Sequence, residues 1–120
     1  MPHLIIEYSK NLASFDPASC LAATNAALID SGHFQEADIK SRAIRLDTFL
    51  VGSGSPEHAF IAARLYILPG RSLEIKQDLS TRLVRALQQQ LPAGTGLRTQ
   101  ISVETLDIER PGYTKAVVES

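Results

Sequence analysis

Position 2 holds the residue with the least ordinary chemistry in the chain. Met1-Pro2-His3-Leu4-Ile5-Ile6-Glu7-Tyr8 opens the sequence, and removal of Met1 would leave a proline with a free secondary amine. α-Amino groups titrate near neutral pH, at roughly 7.7 to 8.0, so such an amine can take up a proton and return it. Proline also follows an initiator methionine in many proteins without a catalytic role, and this stretch alone leaves both readings open. A second set of candidates lies between Ile39 and Val51. Alternation there puts Lys40, Arg42, Ile44 and Leu46 on one strand face and Ser41, Ala43, Arg45 and Asp47 on the other. Two cations beside apolar residues suit an anion site on a sheet, and equally a solvated strand end. The histidines are read as structural. His3 adjoins Pro2 but lies on the opposite strand face, His33 falls in a helix-exit loop expected at the surface, and His58 begins a strand with no evident carboxylate partner. No Ser-His-Asp or Cys-His arrangement is present, and no spacing fits a metal site. The single cysteine, Cys20, excludes an intrachain disulfide and reads as a small buried apolar residue.

With 120 residues, 44% of them hydrophobic, the chain has material for one domain with a modest core. A net charge of −1 argues against a nucleic-acid or membrane-surface binder, which needs a basic face. Apolar runs fall far short of the roughly 18 residues of a membrane span, and no signal segment is evident. The expected location is the cytoplasm.

The elements that must position these residues follow from periodicity. From Pro2 onward, Leu4, Ile6 and Tyr8 share one face of a strand and His3, Ile5 and Glu7 the other. Asp16-Pro17 reads as an N-cap and first helical residue, opening a helix from Pro17 to about Asp30. Its spacing suggests a stripe of Ala18, Leu21, Ala22, Asn25, Leu28 and Ile29, with Ser31-Gly32 ending it. A strand from Ile39 to Val51 follows, then the flexible Gly52-Ser53-Gly54-Ser55-Pro56. After it the pattern repeats. A strand from His58 to Leu68 leads through Pro69-Gly70 into a helix from Ser72 to about Leu91, carrying Ile75, Leu79, Leu83, Ala86 and Leu87 on one stripe. A loop at Pro92 to Gly96 and a strand from Arg98 to Leu106 complete the second half. The expected fold is α/β (α+β by some schemes): two β-α-β repeats, about 2–51 and 58–107, and a tail at 108–120. They form a four-stranded mixed sheet with two helices on one face. The other face, with Ile5 and Ala43, would be bare, which predicts an oligomer in which that face is covered and the tail strand reaches a neighbour.

The run Ile67-Leu68-Pro69-Gly70-Arg71-Ser72-Leu73-Glu74-Ile75-Lys76-Gln77 resembles the Gly-Arg-Ser turn of the 4-oxalocrotonate tautomerase type. Met1 to Ser9, together with Ile39-Lys40-Ser41-Arg42 and Asp47-Thr48, resembles a fused, two-repeat branch of that superfamily, the 5-carboxymethyl-2-hydroxymuconate isomerases. The likeness spans nearly the whole chain, and the last dozen residues add least.

The resemblance implies a homotrimeric, cofactor-free isomerase of aromatic-acid breakdown whose amino-terminal proline, here Pro2, is the acid/base. Its substrate would be a dienol with three carboxylates, held by Arg71 and Arg42 as bidentate partners. Lys40 stands where the comparison leads one to expect a further arginine, and a lysine binds a carboxylate only as a point charge. Tyr113 is a candidate to close the pocket or simply to pack. Counting back from the Gly70-Arg71 turn, the counterpart of Pro2 in the second half is about Ile61, which has no free amine, and the first half has Asn11-Leu12 near the counterpart of Arg71. One site per chain is therefore expected. Two rival readings remain: a module that binds a small acid without turning it over, and a proline-dependent tautomerase of a different acid.

Overall fold

The computed structural model describes residues 1–120 and contains six main elements. They are β1 (His3–Ser9), α1 (Pro17–Asp30), β2 (Lys40–Leu46), β3 (His58–Ile67), α2 (Leu73–Gln89) and β4 (Arg98–Asp107). Short 3-10 turns at Glu36–Asp38 and Arg110–Gly112 follow α1 and β4. The sheet order is β2-β1-β3-β4. β1 runs parallel to β2 and β3 parallel to β4, while the central β1–β3 pair is antiparallel. Each helix crosses over between two parallel strands, and the two repeats meet across the central pair in a two-fold relation.

One face of the sheet makes the core. Leu4 pairs with Leu65, Ile6 with Ala63 and Tyr8 with Ile61, and all six are buried in one cluster with Cys20 and Leu28 of α1 and Leu79, Leu83 and Leu87 of α2. Both helices therefore cover the same side. Ser9 breaks the alternation because it closes the β1–β3 ladder with its side chain. Its Oγ accepts from the Phe60 N–H at 3.0 Å and donates to the Phe60 carbonyl at 3.4 Å.

α1 begins as expected, with the Asp16 carboxylate accepting from the N–H groups of Ala18 and Ser19. Its inward stripe differs from the expected one. Cys20, Thr24 and Leu28 are buried, while Ala18, Ala22 and Ile29 face solvent. Thr24, absent from the expected stripe, donates from Oγ1 to the Cys20 carbonyl at 2.9 Å and so enters the core satisfied. α2 buries Leu79, Leu83 and Leu87 along one stripe, capped by Ser72, whose Oγ accepts from the Ile75 N–H at 3.2 Å.

β2 stops at Leu46 rather than Val51. Its one neighbour, β1, ends at Ser9, and the last rung is the Lys10 N–H to the Leu46 carbonyl at 3.1 Å. Beyond that point no strand is present to pair with. Ala43 also departs from expectation. It registers with Ile6 and packs against the core, so it is not on the bare face. That open face carries Ile5, Phe60, Ala62 and Tyr66, all partly buried, and Ile44 at 42% exposure. Arg64 crosses its middle, 3.5 Å from Glu7 and 3.7 Å from Glu104. The tail forms no strand, and Val117 and Val118 are 74% and 88% exposed. No helix is long and apolar enough to cross a membrane.

Candidate active site

Pro2 is fully buried at the mouth of β1. Its carbonyl accepts from the Lys40 N–H at 3.1 Å, which ties the start of β1 to the start of β2. In register with this rung, His3 lies opposite Lys40 and Ile5 opposite Arg42. Paired residues of adjacent strands point to the same side, so His3, Lys40 and Arg42 share the open face. The anion-site reading of the two cations thus gains a third polar neighbour. His3 was set aside as structural because it lies across the strand from Pro2, yet that is the side on which the cations stand.

Arg71 arrives from the other repeat. Gly70 takes a φ of 116°, a conformation that glycine alone reaches easily, and this turns the chain between β3 and α2. The Arg71 guanidinium then donates from Nη2 to the His33 carbonyl at 3.0 Å and lies 4.7 Å from the centre of the Phe34 ring. His33 is accordingly half-buried and structural, not merely a surface loop residue. His58, at the other end of the sheet, has Glu57 as a carboxylate neighbour at 3.7 Å.

The tail folds back onto the same corner. Tyr113 Oη lies 3.2 Å from His3 Nε2, with the rings edge to face at 6.0 Å, and 3.5 Å from Met1 Sδ. Lys115 Nζ donates to Asp38 Oδ1 at 3.1 Å, and Lys40 Nζ donates to the Asp38 backbone carbonyl. Asp38 and Lys115 escaped sequence reasoning. Neither belongs to a periodic segment, and residues 77 apart in the chain meet only through the fold.

Electrostatics mark the corner as basic. The chain's amino group, here on Met1, is held below its ordinary 8.0, chiefly by burial. Asp38 pulls the other way, and Lys40, Lys115 and Arg71 add to the lowering. His3 is likewise pushed below 6.5, by burial first and then by Lys40 and Arg42. The Asp38 carboxyl lies below its usual range because Lys115 donates to it and attracts its charge. Lys40, Arg71 and Tyr113 therefore surround the chain start, while Arg42 stands one rung further out and acts on His3. Cys20 is elsewhere, fully buried, its thiol pushed up to about 11 by desolvation.

The two-fold counterpart of this corner looks different. Ile61, the counterpart expected from counting back, lies instead inside β3 opposite Tyr8, and the position that repeats Pro2 is Glu57, whose carbonyl accepts from the Arg98 N–H at 2.7 Å as that of Pro2 does from Lys40. Asn11, near the counterpart of Arg71, donates from Nδ2 to the His58 carbonyl at 2.8 Å. A cavity of about 550 Å³ opens there, lined by residues such as Asn11, Leu12, Phe15, Leu91 and Ile101, and no lining residue is charged. Its walls carry no cation, whereas Lys40, Arg71 and Lys115 act on the chain start.

Two β-α-β repeats in a four-stranded mixed sheet, with a buried proline at the mouth of the first strand, give the chain the fold of the tautomerase superfamily. Residues 2–116 match the family described as 5-carboxymethyl-2-hydroxymuconate isomerase, and the chain belongs to that family. It is 33% identical over 94 residues to the 5-carboxymethyl-2-hydroxymuconate Delta-isomerase of Escherichia coli, covering 78% of this chain and 75% of that one. A solved 5-carboxymethyl-2-hydroxymuconate isomerase from Deinococcus radiodurans R1 superposes with a TM-score of 0.87 at 30% identity, over 96% of this chain and 88% of that chain. A fused 4-OT solved as a symmetric trimer shares the fold, with a TM-score of 0.66 at 16% identity, over 88% of this chain and 85% of the other.

Proposed function

We propose that this isomerase acts on 5-carboxymethyl-2-hydroxymuconate, with Pro2, freed by removal of Met1, as the only acid/base. The proline nitrogen takes the proton of the 2-hydroxyl. The O–H electron pair becomes the 2-oxo double bond, the diene shifts, and prolinium returns the proton to a distal carbon. Atoms and electrons balance without a cofactor. The observation that carries this reading is Pro2 fully buried at the start of β1, its carbonyl bonded to the Lys40 N–H at 3.1 Å; the amino group one residue before it, on Met1, is held below 8.0 by burial first and then by Lys40, Lys115 and Arg71. A base that is unprotonated near neutral pH is what the first step needs.

Arg71 and Arg42 hold substrate carboxylates, and Lys40 supplies a third positive charge. Arg71 has one nitrogen committed to His33 and its plane set by Phe34, so its remaining N–H groups are held ready for an anion. These cations also stabilise negative charge as it spreads over the 2-oxo and carboxylate oxygens. Tyr113 closes the corner over His3. The chain works as a homotrimer in the cytoplasm, in the breakdown of aromatic acids.

The test follows the absorbance change of a 2-hydroxymuconate carrying the carboxymethyl group. Wild type should convert it, and Pro2→Ala should lose at least about two orders of magnitude in kcat/KM, the scale of a general acid–base contribution. Equal turnover by Pro2→Ala would refute the proline base, and no turnover by wild type would refute the substrate.

A further inference from the structure

Among the charged groups that act on the amino group of Met1, one residue before Pro2, Asp38 alone is acidic; Lys40, Lys115 and Arg71 are the others. A carboxylate beside a catalytic amine is a liability, because it favours the protonated form that cannot accept the hydroxyl proton. The fold answers with a residue from the far end of the chain. Lys115 donates to Asp38 Oδ1 at 3.1 Å, and the two side chains are only 30% and 35% exposed. The tail is guided to this contact by Tyr113, whose hydroxyl lies 3.2 Å from His3 Nε2. The family match extends to residue 116, so it takes in Lys115 but not the exposed Val117 and Val118.

Building on the proline-base reading, we propose that Lys115 is a positioning residue that neutralises Asp38 beside the Pro2 amine and so keeps the base free of its proton. Lys115 acts through Asp38 and need not touch the substrate. Contacts tie these groups to the chain start: the Lys40 N–H donates to the Pro2 carbonyl at 3.1 Å, Lys40 Nζ donates to the Asp38 carbonyl, Lys115 Nζ donates to Asp38 Oδ1 at 3.1 Å, and Tyr113 Oη lies 3.5 Å from Met1 Sδ. The charged and titratable groups that act there are Asp38 from the 3-10 turn, Lys40 from β2, Arg71 from the β3–α2 turn, Lys115 from the tail and His3 from β1. Loss of Lys115 removes one cation and unmasks one anion, and both changes favour the protonated amine. Loss of the Asp38 carboxylate acts in the opposite sense.

The experiment titrates Pro2 directly by ¹⁵N resonance on the Met1-free protein, beside the pH profile of kcat/KM. Lys115→Met should raise the amine's midpoint by about half a pH unit or more, given a charge pair partly open to solvent. Below the midpoint kcat/KM should fall roughly threefold or more, and it should recover at high pH. Asp38→Asn should lower the midpoint, the double variant should return it close to wild type, and Lys115→Arg should preserve it. A raised KM with an unmoved titration would make Lys115 a substrate ligand and overturn the proposal. An unmoved titration in Asp38→Asn would also overturn it, whether or not Lys115→Met folds. The titration needs no turnover, so failure of the proline-base reading, seen as full activity in Pro2→Ala, stays separate from failure of this one.

Discussion

Arg71 reaches its corner already half engaged, bonded to the His33 carbonyl and lying over Phe34. Its removal should therefore cost more than a loose surface cation would. Arg71→Ala should lower kcat/KM by roughly 10²-fold, the scale set by losing one preorganised donor to a developing anion. Arg71→Lys should recover only part of that, because an ammonium cannot keep the His33 bond and the fork together; complete rescue in steady-state assays would argue for a simple point charge. His3 makes a pH prediction. Its pKa lies below 6.5 in the folded chain, so between those values the unfolded state binds more protons. Stability should thus be unaffected above about 6.5 and decline as pH falls through and below it. Thermal melts of wild type and His3→Gln should converge at pH 8, and the variant should lose less at pH 5. The placement of Lys40 and Arg42 on one strand face and of Arg71 in the turn before α2 was legible because strand alternation and a Gly-Arg-Ser turn announce them. Asp38 and Lys115 were not, since an ion pair between a turn and a tail leaves no local pattern.

The elements were legible to the extent that periodicity controls them. α2 was read nearly to its ends because its leucines recur at i, i+4 and i+8 and all three are fully buried. Leu83→Ala should cost about 2–5 kcal/mol in urea unfolding, as for other fully buried leucines; a cost below about 1 kcal/mol would mean that the two helices are not packed as described. α1 was misread on its inward face because alanines are good helix formers wherever they point and Thr24 hides its hydroxyl within the helix. β2 was read too long for a different reason. Its sequence stays strand-like to Val51, but a strand needs a partner, and β1 supplies none past Ser9.

At the scale of the molecule, the duplicated fold offers two equivalent corners and equips one. The Pro2 corner has Lys40, Arg71 and Lys115 about the chain start, and its counterpart has Glu57 in place of Pro2, Arg98 in place of Lys40, and Asn11 beside an uncharged cavity. Aligning the halves showed that the second has no chain start of its own but set Ile61 where the register sets Glu57, because loops of unequal length shift the count; the cavity was not readable, since its walls come from segments distant in sequence. The open face, with Ile44 at 42% exposure beside Ile5, is the surface through which copies should associate. Sedimentation should give a trimer, and Ile44→Asp should shift it toward monomer; a wild-type monomer at micromolar concentration would contradict the assembly.

The central claim is that a free Pro2 amine does the proton transfer. The most direct measurement compares two preparations of the same chain, one whose intact mass shows Met1 removed and one carrying an uncleaved residue before Pro2. Acylation takes the lone pair into an amide, so the extended chain should fold alike and isomerise the 2-hydroxymuconate at no more than background rate. Equal rates from both preparations would contradict the account.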